Sequence, residues 1–234
     1  MGSKGFTFKQ FEINHEGCAM KVGTDGVLLG AWCSCQSAQR IADVGTGTGL
    51  IALMCAQRNS EAKIDAIEID SAAATCAREN IAQSAWSDRI EVIECAIQQF
   101  STKEHYDLIV SNPPYFSETL QSPDPSRATA RHNCSLPHRD LIDAAKRLLT
   151  PDGRLSIILP ADESRRFAMQ AVVSGLHLRR RCDIATKKGA TPKRTMSEWS
   201  LTTGQADIEL LTLTADDGSR SEEYSRLTED FYLK

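Results

Sequence analysis

Asp43-Val44-Gly45-Thr46-Gly47-Thr48-Gly49 separates two apolar segments of different period. Before it, residues 41–44 form a short apolar run that reads as a β-strand. After it, residues 50–58 carry Leu50, Ile51, Leu53, Met54 and Ala56 at helical spacing. A strand that turns through closely spaced glycines into a helix opens a βαβ unit. Glycine alone lets the chain turn this sharply and leaves no Cβ between backbone and ligand. The spacing is G-x-G-x-G, and Leu50 stands where the dinucleotide fingerprint has its third glycine. An acid, Asp43, precedes the glycines. It suits a ligand carrying a cationic ammonium, whereas a pyrophosphate is better served by a bare helix N-terminus.

Outward from this turn, strand-like and helix-like segments alternate. Residues 64–69, 90–95, 106–111 and 155–159 read as strands. Residues 72–83, with Ser71 as N-cap, and residues 141–149 and 163–174 read as helices. Pro151-Asp152-Gly153 is expected as a turn. Residues 117–138 lack periodicity and read as a long loop. Residues 176–186, 196–203 and 208–214 are three further strands without long helices between them, and 221–232 is a final helix. The pattern predicts an α/β fold: a mainly parallel sheet with an antiparallel edge and helices on both faces. Ligands of such sheets bind beyond the carboxyl ends of the strands.

Two further groups fall at those ends. Glu68 closes the second strand, at about the 20-residue spacing from the glycines where such folds place a carboxylate on ribose hydroxyls. Ile69 follows it. Asp43 for an ammonium and Glu68 for a ribose together suit S-adenosylmethionine. Asn112-Pro113-Pro114-Tyr115 closes the fourth strand, since proline cannot continue a ladder. An adenine amine has its lone pair delocalised into the ring. Two fixed acceptors, the Asn112 side-chain oxygen and the Pro113 carbonyl, take its N–H groups and aim the lone pair. Pro114 stiffens the turn, and Tyr115 offers a flat face for a base taken out of its stack.

The chain has 234 residues, 41% hydrophobic and 25% charged, an ordinary globular composition, with a formal net charge of −4. Neither a membrane-spanning apolar stretch nor a signal-peptide core is present, so a cytoplasmic setting is expected. Eight cysteines lack Cys-x-x-Cys spacing; reduced thiols and no metal site are expected. The acidic average hides a basic tract that includes Arg179, Arg180, Arg181, Lys187 and Lys188, a candidate nucleic-acid surface.

Residues 43–49 with Glu68 resemble the cofactor site of class I S-adenosylmethionine methyltransferases, and Asn112–Tyr115 resembles the signature of amino methyltransferases acting on adenine, guanine or protein glutamine. Gly5-Phe6-Thr7-Phe8-Lys9-Gln10-Phe11, the run from Ala19 to Trp32, Gln98-Gln99-Phe100, Tyr224 and Phe231-Tyr232-Leu233 narrow this further. The chain looks like the bacterial tRNA1(Val) (adenine-N6) methyltransferases, nearly end to end, most strongly over residues 5–115. The resemblance implies a Rossmann-like class I methyltransferase fold with a mainly parallel seven-stranded sheet. It implies methylation of the adenosine 3′ of the anticodon in a valine tRNA, with no metal. Catalytic roles fall on Asn112, Pro113, Pro114 and Tyr115. Cofactor contacts fall on Lys21, Thr24, Asp25, Asp43, Gly45, Thr46, Gly47, Gly49, Glu68, Ile69, Ala96, Ile97 and Asn112. Ala96 departs from the family, where an Asp often binds the cofactor's adenine; Gln98 or a backbone amide is a substitute. RNA contacts fall on Arg127, Arg131, Arg179, Arg180, Arg181, Lys187 and Lys188. One domain is expected: residues 1–35 as an extension over the cofactor site, 36–160 as the core, and 161–234 as antiparallel strands with a basic RNA-facing part. Protein glutamine N5-methylation, ribosomal-RNA guanine-N2 methylation and a cofactor-binding RNA chaperone are the alternatives.

Overall fold

In the computed structural model, which describes residues 5–15, 21–114 and 136–233, the strand leading into the glycine turn lies inside one large sheet. Before it come a small antiparallel hairpin, β1 (Gly5–Thr7) and β2 (Glu12–Asn14), and helix α1 (Thr24–Trp32). Then follow β3 (Arg40–Val44), α2 (Leu50–Arg58), β4 (Lys63–Glu68), α3 (Ser71–Ala82), β5 (Ile90–Glu94) and β6 (Tyr106–Ser111). The second half contributes α4 (His138–Leu148), β7 (Leu149–Pro160), α5 (Ala161–Val173), β8 (His177–Lys187), β9 (Arg194–Ser200), β10 (Asp207–Thr214) and α6 (Glu222–Thr228).

The sheet order is β10-β8-β9-β7-β6-β3-β4-β5. It holds eight strands, one more than the seven expected. Strands β5, β4, β3, β6 and β7 run parallel. β9 is antiparallel to both β7 and β8, and β10 runs parallel to β8. The reversed strand therefore sits inside the sheet rather than at its edge. A turn closed by the Ala190 amide on the Lys187 carbonyl folds β9 back along β8, and β9 slots between β8 and β7. Apolar alternation marks three strands here but carries no information on their order.

Helices cover both faces, which is why the central strands are apolar on both sides. Ile41, Leu108 and Val110 join residues of α1, α2 and α3 in one core. Ala42, Ile67 and Ile109 join α4 and α5 in the other. Three local expectations change. Asp70, not Ser71, caps α3, its side chain accepting from the Ala73 amide, because Ser71 already lies inside the first turn. Residues 151–153 form a bulge within β7 instead of a turn: Tyr106 pairs with Leu149 and Leu108 with Arg154. Gly153 is needed there, since a Cβ would stand 2.7 Å from the Tyr106 carbonyl oxygen. Cys76 is disulfide-bonded, so reduced thiols throughout do not hold; α3 brings its Sγ within 3.3 Å of the Asn14 carbonyl, a neighbourhood that spacing along the chain does not reveal. No helix among the described residues is long and apolar enough to cross a membrane.

Candidate active site

β3 runs parallel to β4 and β6 and lies between them, so their carboxyl ends sit side by side, where the ligand cleft of such sheets is found. The glycine turn leaves β3 with Gly45, Gly47 and Gly49 at φ of +73°, +59° and +82°, values that L-residues with a Cβ rarely adopt. Cβ atoms on Gly45 and Gly47 would meet nothing within 4 Å, so both face open space. The turn is fixed from behind. The Gly45 and Thr46 amides donate to the Ile67 carbonyl at 2.8 and 3.2 Å, and Asn80 of α3 donates to the Thr48 carbonyl at 2.9 Å.

Asp43 is fully buried. Its Oδ2 accepts from the Thr46 hydroxyl at 2.6 Å and the Ala52 amide at 3.1 Å. Its Oδ1 is buried with no hydrogen-bond partner among the described residues. Burial pushes this carboxyl up to about 7, against the Thr46 and Ala52 bonds that stabilise its charged form. An unpartnered buried acceptor of this kind fits an incoming cationic ammonium. Glu68 is also buried: Oε2 accepts from the Gly47 amide at 2.9 Å, and Oε1 accepts from Ile69 and Asp70 amides at 2.9 and 3.0 Å. Three donors hold the carboxylate in one orientation beside the turn and leave one of its roughly four lone-pair sites, on Oε2, for a further donor. Ile69, next in sequence, is 54% exposed, an unusual apolar surface at a strand tip.

β6 delivers Asn112-Pro113-Pro114 to the same cleft. Ser111 Oγ donates to the Val44 carbonyl at 2.8 Å and binds the end of β6 to the end of β3. Asn112 is half-buried and Pro113 buried. A Cβ on Gly26 of α1 would stand 3.8 Å from Asn112 Nδ2, so α1 packs against this turn. Tyr115 lies outside the described residues, as do Arg127 and Arg131.

The remaining expected residues divide. Lys21 and Thr24 are exposed at the start of α1. Asp25 pairs with Arg194 of β9 at 2.8 Å, which makes it a strut between α1 and the sheet. Ala96 is half-buried, its carbonyl accepting from Gln99 and Phe100 amides, and Ile97 is buried in the core beneath α4. Gln98 donates to Asp140 at 2.8 Å. The arginine triplet does not present one basic face. Arg180 stacks on Trp32 and pairs with Glu209, Arg181 pairs with Asp183, and Arg179 donates to the Thr203 carbonyl. Lys187 and Lys188 are exposed where β8 ends, and β8 ends on the side of the sheet that carries Asn112. Three residues that hold the site escaped sequence reasoning: Asn80, Ser111 and Arg194. Each acts on a partner more than 30 residues away, and none belongs to a motif.

Comparison with known proteins agrees with this architecture. The methyltransferase small domain model matches residues 23–181. A Phocaeicola vulgatus protein named tRNA1(Val) (adenine(37)-N6)-methyltransferase is 48% identical, over 97% of this chain and 97% of its own. A Bacteroides fragilis protein of the same name is 46% identical, over the full length of both. Among solved structures, a predicted O-methyltransferase from Agrobacterium tumefaciens shares the fold with a TM-score of 0.65 at 20% identity, over 88% of this chain and 96% of its own. With the glycine turn, Glu68 and the Asn-Pro-Pro turn gathered at one cleft, and relatives matching end to end, the chain belongs to the methyltransferase small-domain family and, within it, to the tRNA1(Val) (adenine(37)-N6)-methyltransferases.

Proposed function

We propose that the chain methylates the N6 amine of the adenosine 3′ of the anticodon in a valine tRNA, using S-adenosylmethionine. The observation that carries this reading is the Ser111–Val44 bond, which sets the Asn112 turn beside the glycine turn. Asp43 Oδ1 takes the ammonium of the cofactor, the backbone of Gly45, Thr46, Gly47 and Gly49 borders its methionine part, and Glu68 Oε2 takes a ribose hydroxyl. Ile69 and Ala96 border the adenine. The cofactor supplies a methyl group already activated on a sulfonium.

Asn112 Oδ1 and the Pro113 carbonyl accept the two N–H groups of the target amine. This draws the nitrogen toward pyramidal geometry and fixes the direction of its lone pair. The two prolines hold both acceptors without further ordering, and Tyr115 stacks on the base. The amine loses its proton after it has become a cation, so no strong base is needed. Lys187 and Lys188 supply phosphate contacts at the end of the sheet that carries Asn112, and Arg127 and Arg131, outside the described residues, supply further ones; the arginines at 179–181 add a weaker positive potential, offset by Glu209 and Asp183.

The test is incubation with labelled S-adenosylmethionine and unmodified tRNA, followed by digestion to nucleosides. N6-methyladenosine confined to one valine tRNA is the expected product. Label in ribosomal RNA as N2-methylguanosine, or in a protein glutamine, overturns the reading.

A further inference from the structure

Away from the cleft, three thiols converge between α1 and α2. Cys33 follows the last residue of α1, Cys35 lies two residues on, and Cys55 comes from α2. All three are fully buried. Their Sγ atoms lie within 4.8 Å of one another, and Cys33 and Cys55 Sγ are 3.7 Å apart. The sequence hides this group, because no Cys-x-x-Cys pair marks it and the third thiol arrives from the next helix.

The surrounding groups hold the cluster in place. Asn59 Nδ2 donates to the carbonyls of Cys35 and Ala38 at 2.7 and 2.8 Å. The Ser34 amide and hydroxyl each donate to Glu198 at 2.8 Å. Arg58 Nη1 donates to the carbonyls of Gly30 and Cys33, both at 2.8 Å, and lies 3.6 Å from Cys33 Sγ. Cysteines packed merely as small apolar side chains do not call for a guanidinium beside them, and a partly buried cation is favourable only when its charge is answered. Thiolates answer it.

We propose that Cys33, Cys35 and Cys55 form a thiolate site for a divalent thiophilic ion with a filled d shell, of which zinc is the common example. Two sulfurs on one zinc, each at about 2.3 Å in tetrahedral geometry, stand roughly 3.8 Å apart, close to the Cys33–Cys55 separation. Charge selects a divalent ion: three thiolates leave a net single negative charge, which Arg58 neutralises, whereas a monovalent ion leaves one charge uncompensated. On binding, each thiol releases its proton to solvent. The ion is structural. It pins α1, which packs against Asn112, to α2, which begins at the glycine turn.

The test uses the full-length chain, produced in defined medium with Co(II) in place of zinc and purified without chelator. A thiolate-to-cobalt charge-transfer band, displaced by Zn(II), is the expected result. The band is lost in Cys55→Ser and kept in Cys95→Ser, whose thiol lies outside the cluster. Thermal unfolding of the wild type shifts upward with Zn(II), and Cys55→Ser shows no shift. If Cys55→Ser does not fold, Cys35→Ser, altered in a loop, replaces it. A folded wild type without the band overturns the proposal, and so does a band that survives in the cluster variant.

Discussion

Arg194 Nε donates to Asp25 Oδ2 at 2.8 Å across 169 residues of chain, joining the start of β9 to the first turn of α1. The pair is partly exposed, so its worth is modest and its effect is on position. Asp25→Ala and Arg194→Ala are expected to weaken cofactor binding and turnover to a similar degree, with the double variant no worse than either. The coupling in a double-mutant cycle on stability is expected at about 0.5–1 kcal/mol. Additive losses would mean that Asp25 acts by itself.

Asn112→Ala removes one of the two acceptors proposed for the target amine. A fall in kcat of about 10²-fold or more is expected, the size seen when one positioned transition-state partner is removed. The cofactor Kd, measured by calorimetry, stays near the wild-type value.

Asp43 predicts a pH dependence with opposite signs for folding and binding. Its carboxyl is raised to about 7 by burial, so the folded apoprotein favours the protonated form. Its contribution to stability is greatest below the ordinary carboxylate range and is lost as pH rises through about 7. Binding an ammonium needs the carboxylate, so cofactor affinity rises over the same interval. Asp43→Asn flattens both profiles and weakens binding; an unchanged binding profile in the variant assigns the ammonium to another group.

Glu68→Ala removes the acceptor proposed for the ribose and three bonds to the amides of Gly47, Ile69 and Asp70. A rise in cofactor Kd of roughly tenfold or more is expected, together with a lower Tm, because unpaired amides carry their own penalty. Glu68→Gln keeps an acceptor and is expected to fall between the two.

Replacing Lys187 and Lys188 with alanine is expected to weaken tRNA binding and reduce its salt slope by about 2, roughly one for each lysine–phosphate pair removed. The same change at Arg180 or Arg181 alters the slope less, since those charges already face Glu209 and Asp183. Filter binding across a salt series distinguishes the two sets.

The parts of this molecule written in contiguous residues were the legible ones. The glycine turn, Glu68 and the Asn-Pro-Pro turn each carry their meaning within a few positions, and the parallel half of the sheet follows from strand–helix alternation. The insertion of β9 between β7 and β8 was not legible, because three apolar strands in succession admit several orders. The tie between Asp25 and Arg194 is not legible for the same reason: Arg194 is brought to Asp25 only by the reversal of β9. The acids that meet the basic tract are likewise legible only in the fold, where Arg180 pairs with Glu209 of β10 and Arg181 with Asp183.

The way the glycine turn spends its amides has a consequence for which small molecules it rejects. The N–H groups of Gly45 and Thr46 go to Ile67, that of Gly47 to Glu68, that of Gly49 to Thr46 and that of Ala52 to Asp43. A diphosphate arriving at this turn finds those donors already taken and a buried carboxyl on either side. Nicotinamide dinucleotides and nucleoside triphosphates, which are gripped through amides of this kind, are thereby disfavoured at this turn.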